Sequence, residues 1–201
     1  MPIKFHGPRS GLSPVDIVPF VGQGTGFAEY SRDVSPSTTQ SRDAMEARQP
    51  VKRILFVCSG NLCRSFMAER IFRTQLKKRD HYPVQADSAG LLDLGGADAD
   101  PQAVAILREK GLDGSRHRSR TLSAEMVAGA DLVLVMEEAQ RDEVLRRHPE
   151  GEGKVRLLKS FSPQGNGADP DIRDPYGQSP YHYRTCFAEI YFSLEGLLRC
   201  I

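Results

Sequence analysis

The chain has 201 residues, 39% of them apolar and 26% charged, which suits one globular domain with an appendage. Its 27 Lys and Arg nearly balance 26 Asp and Glu, for a net charge of +1, so nucleic acid is not an expected partner. No apolar run approaches the ~20 residues that span a bilayer, and the start lacks the apolar core of a secretory signal. A cytoplasmic protein without direct membrane insertion is the expectation.

Residues 1–50 differ from the rest: Gly, Pro and Ser fill 17 of these 50 positions. Such a segment buries too little apolar surface to offset its ordering entropy. It reads as a disordered N-terminal extension, with Met45 a candidate alternative start, and residues 51–201 read as the folded domain. Ile54–Val57 predicts a buried strand, and Phe66 to about Lys78 a helix with Met67, Ile71, Phe72 and Leu76 on one face. Val84–Ser88 is a second strand. After a loop rich in Gly and Asp, a helix runs from Pro101 to Lys110, with proline favourable at its start and Gly111 as its stop. Leu132–Met136 is a third strand, Glu138–Arg147 a helix and Val155–Leu158 a fourth strand. A polar loop from Ser160 to about Pro180 leads to a closing helix over about Tyr183–Leu198. Strand and helix alternate throughout. The expected fold class is α/β, three-layered, with a four-stranded parallel sheet and helices on both faces.

The four cysteines do not read as two disulfides. Cys186 and Cys200 would sit on one helix about 21 Å apart, beyond disulfide reach. Cys58 and Cys63 sit together in Cys58-Ser59-Gly60-Asn61-Leu62-Cys63-Arg64-Ser65, between the first strand and the first helix. Ligands in parallel sheets bind beyond the carboxyl ends of the strands, which is where this loop lies. Backbone amides from Ser59 through Gly60, Asn61, Leu62 and Cys63 to Arg64 can form an anion nest at a helix N-terminus. Gly60 eases the turn and Asn61 tolerates a left-handed conformation. Arg64 can hold two phosphoryl oxygens side by side. Cys58 in this positive field, with the Ser65 hydroxyl nearby, is a candidate nucleophile on phosphorus.

The leaving oxygen is helped by a proton donor. Asp174, ahead of Pro175, is the best candidate, because proline biases the preceding residue towards extended backbone. On sequence grounds alone Asp169 and Asp171 remain rivals. No metal or other cofactor is expected, since Arg64 and the amides supply the positive charge. The acidic run 169–174 lacks the Gly and terminal Glu of a calcium loop. Taken alone, Ser88 and His117 read as ordinary surface or cap residues. Cys58 and Cys63 are close enough in sequence for a reversible disulfide that protects the active thiolate, or for an unreactive packed pair.

With these residues in place, the chain over about 52–200 resembles the low-molecular-weight protein tyrosine phosphatases. The matching segments are Val57–Ser65, Asp87–Gly90, His117–Arg120, Asp131–Met136 and Asp174–Tyr176. The resemblance implies Cys58 as nucleophile, Arg64 as phosphate binder and Asp174 as acid and base. It also implies a network of Asn61, Ser65, Ser88 and His117 that holds the loop in shape. Ser88–Leu91 with Gly95–Pro101 is similar to a bacterial subgroup that acts on membrane tyrosine autokinases in capsule or exopolysaccharide export. Such a kinase is the phosphotyrosine protein substrate implied. Leu62, Leu94 and Tyr176 are then the expected substrate pocket, with Tyr176 the main aromatic wall. One departure stands out: Phe66 replaces the family's usual proline, adding an N–H and a bulky ring where proline preorganises the first helical turn. The expectation is a loop that survives with reduced rigidity or turnover. Rival readings are a protein-arginine phosphatase, which tends to carry threonine where Leu62 stands, an arsenate reductase of the same fold, and a catalytically dead phosphate-binding module.

Overall fold

Alternating apolar side chains on Arg53–Cys58 (β1) explain the layering of the whole molecule. Ile54 and Phe56 point to one face of the sheet, Leu55 and Val57 to the other, and all four are buried. The computed structural model describes residues 53–79, 83–163 and 169–201. The expected extension over residues 1–50 lies outside the described residues.

The chain continues through Arg64–Lys77 (α1), Gln85–Gly90 (β2), Pro101–Glu109 (α2), Ala124–Gly129 (α3), Leu132–Val135 (β3), Glu138–Arg147 (α4), Val155–Leu157 (β4) and Pro180–Leu197 (α5). Short 3-10 turns cover Pro149–Gly151 and Leu158–Phe161. The four strands pair in parallel in the order β2-β1-β3-β4. One core cluster joins Ile54, Phe56 and Leu134 to Phe72, Leu107, Ile190 and Leu194 from α1, α2 and α5. The other joins Leu55, Val57, Val133 and Val135 to Val127 of α3 and Val144 of α4. This is the expected three-layer arrangement.

Boundaries shift where local backbone chemistry overrides the apolar pattern. Helix α1 begins at Arg64, because the loop turns into the helix at Cys63 and takes in two polar residues that periodicity assigns to the loop. Helix α3, absent from the sequence reading, is one short turn and a half whose Ser123 hydroxyl accepts from Met126 N. Helix α5 starts at Pro180, three residues before its first buried side chain, Tyr183. Only its glycine lets α5 pack closely: a Cβ on Gly196 would lie 1.7 Å from the Phe161 carbonyl oxygen.

The order β2-β1-β3-β4 sends the chain leftward from β1 and rightward from β3. The crevice between the carboxyl ends of those two strands is where such sheets bind ligands. Two loops flank it, Ser59–Cys63 after β1 and Met136–Glu137 after β3.

Candidate active site

The loop after β1 is held from below by its neighbours. Leu91 N donates to Cys58 O at 3.0 Å, Leu92 N to Ser59 O at 2.9 Å and Asp100 N to Leu62 O at 3.1 Å. Gly90, at the end of β2, lies directly under the turn. A Cβ there would meet Gly60 C at 2.8 Å and Asn61 N at 2.9 Å. The left-handed residue of the turn is Asn61, with φ of 57°, and Gly60 does not share it. Glycine at 60 instead makes room for Leu94, whose Cδ1 would lie 2.9 Å from a Cβ.

Asn61 is fully buried and organises the loop from inside. Its Nδ2 donates to Ser65 Oγ at 3.0 Å and to Ser88 Oγ at 2.9 Å, while its Oδ1 accepts from Arg120 N at 3.0 Å. Its carbonyl accepts from His117 Nε2 at 2.6 Å. A carbonyl only accepts, so Nε2 carries the proton. Burial is the main influence on His117: it favours the neutral ring and lowers the pKa, partly opposed by the bond to the Asn61 carbonyl, which favours the charged ring. Ser88 donates onward to Glu69, which pairs with Arg73 at 3.1 Å. Ser65 Oγ sits 3.0 Å from Cys58 Sγ. Asn61, Ser65, Ser88 and His117 therefore form one connected network, and Glu69 and Arg120 extend it.

The Arg64 guanidinium is almost wholly buried. Nη1 donates to the Ile172 carbonyl at 3.0 Å and pairs with Glu137 Oε2 at 3.0 Å, while Nη2 meets Asp174 Oδ2 at 2.5 Å. Burial on its own would favour the neutral guanidine. Cys58, Asp174 and Glu137 outweigh it, so the net shift is upward and the group stays charged. Arg64 Nε is buried without a hydrogen-bond partner among the described residues. A buried unpaired donor costs about 1–3 kcal/mol.

Asp174 stands 110 residues from Arg64 and reaches it because Ile172 anchors the loop. Ile172 is fully buried, and its N donates to Met136 O at the end of β3 at 2.8 Å. Asp174 Oδ1 accepts from Tyr176 N at 3.1 Å. Its two sequence rivals are engaged elsewhere. Asp171 Oδ1 accepts from Glu138 N at 2.8 Å at the start of α4, and Asp169 bonds Asp171 N and Arg173 within its own loop.

Cys58, Ser59, Gly60, Leu62, Cys63 and Asp174 line one cavity of about 290 Å³, walled by Leu92, Leu94 and Tyr176. All three residues of the expected substrate pocket face it. Tyr176 is largely exposed at the rim, and Leu92 joins Leu94 in the wall. Cys58 and Cys63 are both free buried thiols. Burial, reinforced by Asp100, pushes the Cys63 thiol up, and burial does the same to Cys186 in the core.

Sequence reasoning missed Glu137, Gln140 and the Ile172 carbonyl. Gln140 Nε2 donates to Ser59 Oγ at 3.2 Å and to Glu137 Oε2 at 2.6 Å, linking α4 to the loop. Glu137 and Gln140 look like ordinary helix-start residues in sequence. Ile172 carried a faint signal, as the one large apolar side chain in an acidic run.

A four-stranded parallel sheet with helices on both faces, carrying a buried thiol and a buried arginine in the loop at the carboxyl end of β1, defines a three-layer α/β protein. The family model described as low molecular weight phosphotyrosine protein phosphatase matches residues 53–201, and the chain belongs to that family. It is 42% identical over 126 residues to the probable low molecular weight protein-tyrosine-phosphatase EpsP of Ralstonia nicotianae, covering 63% of this chain and 79% of that protein. It is 38% identical over 145 residues to the protein-arginine-phosphatase of Geobacillus stearothermophilus, covering 72% and 93%. The solved tyrosine phosphatase AmsI of Erwinia amylovora superposes with a TM-score of 0.69 at 30% identity, covering 75% of this chain and 96% of that one. No helix among the described residues is long and apolar enough to cross a membrane.

Proposed function

We propose that this chain hydrolyses phosphotyrosine in a protein substrate through a phosphocysteine formed on Cys58. The observation that carries this reading is that Cys58 and Asp174 line one cavity with an apolar wall, with the buried Arg64 guanidinium bonded to Asp174 beside it. The Cys58 thiolate attacks phosphorus in line with the tyrosyl oxygen, the S–P bond forms and the P–O bond breaks. Arg64 and the loop amides hold the three equatorial oxygens as charge builds on them. Asp174 gives its proton to the departing phenolate, an effect worth roughly 10²–10⁴ in rate. It then takes a proton from water, which attacks phosphorus, breaks the S–P bond and releases phosphate and the thiolate. To do this Asp174 must leave Arg64 Nη2, its present partner. Ser65 Oγ, bonded to Cys58 Sγ, steadies the thiolate in both steps.

Leu62, Leu92 and Leu94 with Tyr176 favour a flat aromatic ring. The physiological substrate we propose is a tyrosine autokinase of exopolysaccharide or capsule export, met in the cytoplasm. A phosphoarginine substrate is the second reading, favoured by the similarity to the Geobacillus arginine phosphatase. Steady-state hydrolysis of matched phosphotyrosine and phosphoarginine peptides separates the two. The tyrosine reading expects kcat/KM at least tenfold higher on phosphotyrosine, and a tenfold preference for phosphoarginine would overturn it.

A further inference from the structure

Phe66 is fully buried in the first turn of α1, and its ring lies on the imidazole of His117 with centroids 4.2 Å apart and planes tilted by 33°. Arg70, one turn on, stands 5.5 Å from the centre of the same ring and donates to the Ser115 carbonyl at 3.3 Å. His117 in turn bonds the carbonyl of Asn61, the left-handed residue whose side chain holds Ser65 and Ser88. Ser65 touches Cys58 Sγ. A continuous path of contacts thus runs from the Phe66 ring to the thiol without Phe66 itself lining the cavity.

We propose that Phe66 is a positioning residue, which clamps the His117 imidazole against the Asn61 carbonyl and so holds the Cys58 loop in its anion-binding shape. A proline at position 66 would stiffen the helix start through its own fixed φ, but it has no ring to lay on His117. In this chain packing across two segments supplies the rigidity instead. Glu69, Arg70 and Arg120 are the charged groups facing His117, and none of them restricts the plane of the imidazole as a stacked ring does. The inference rests on the phosphatase reading only for its kinetic readout.

The test is a double-mutant cycle of Phe66→Leu and His117→Gln, with Gln chosen because its amide can still donate to the Asn61 carbonyl. Para-nitrophenyl phosphate is the substrate. Phe66→Leu should lower kcat about fivefold, the size expected for losing one stacked ring pair, with KM changed less than twofold. In the His117→Gln background the same change should alter kcat less than twofold, because the route through the imidazole is already gone. Phe72→Leu, an equal loss of buried ring on the same helix and away from the loop, should leave kcat within twofold. Independent multiplicative effects of Phe66→Leu and His117→Gln, or wild-type kcat in Phe66→Leu, would overturn the proposal. An NMR titration of the His117 ring serves if the wild-type chain turns over no aryl phosphate, which would sink the phosphatase reading alone. Phe66→Leu should move that titration up towards the ordinary histidine range. An unchanged titration would count against the clamp.

Discussion

Replacing Asn61 by alanine should cost the domain about 4 kcal/mol, a large share of the 5–15 kcal/mol typical of a whole domain. Three side-chain hydrogen bonds disappear, to Ser65, Ser88 and Arg120 N, at about 1 kcal/mol each. Alanine held at the φ of 57° adds about 1 kcal/mol of backbone strain that asparagine largely escapes. Asn61→Gly loses the same three bonds but not the strain, and should be milder by about 1 kcal/mol. Urea unfolding of the three proteins at pH 7.5, analysed with a common slope, gives both differences. A cost below about 1 kcal/mol for alanine would show that the bonds do not hold the loop. Glycine as damaging as alanine would show that the left-handed backbone carries no strain. Both variants should also lose more than tenfold in kcat, since a loop displaced by 1 Å can lose about 10² in rate.

Cys58→Ser should abolish turnover of para-nitrophenyl phosphate. Asp174→Ala should slow it by about 10²–10⁴, while Asp169→Ala stays within twofold; the reverse order for the two aspartates would overturn the acid assignment. Gly90→Ala should reduce kcat more than tenfold and destabilise by about 1–3 kcal/mol, because the new Cβ meets loop backbone that has no free room. Wild-type activity in that variant would mean that the loop yields easily. His117 supplies a pH dependence. Its folded pKa lies below the ordinary 6.5, so the unfolded chain binds the extra proton first. The contribution is present above pH 6.5 and is lost as pH falls through the depressed folded value. Urea midpoints at pH 7.5, 6.5 and 5.5 should therefore fall further for the wild type than for His117→Gln, and parallel falls would refute it.

The chain's own pattern determined much. Four apolar runs separated by helical periodicity specify a parallel sheet, since each intervening helix carries the chain back to the same end of the sheet before the next strand begins. An eight-residue loop of cysteine, glycine, asparagine, arginine and serine is local chemistry, readable without any distant contact. Asp174 stood out as the best acid candidate for a related reason: its proline restricts the backbone on the spot, although Asp169 and Asp171 remained rivals on sequence grounds. The tertiary structure separated those three. Asp171 meets the start of α4 and Asp169 closes its own turn, whereas buried Ile172 pins the loop so that Asp174 reaches Arg64. Glu137 and Gln140 were invisible for the opposite reason. Their positions beside Arg64 and Ser59 depend on β3 lying next to β1, a pairing across more than 70 residues that no local pattern encodes. Phe66 shows both limits at once. Its departure from the family proline is plain in the sequence, but the ring's partner is His117, 51 positions on, and only the folded chain brings the two rings together.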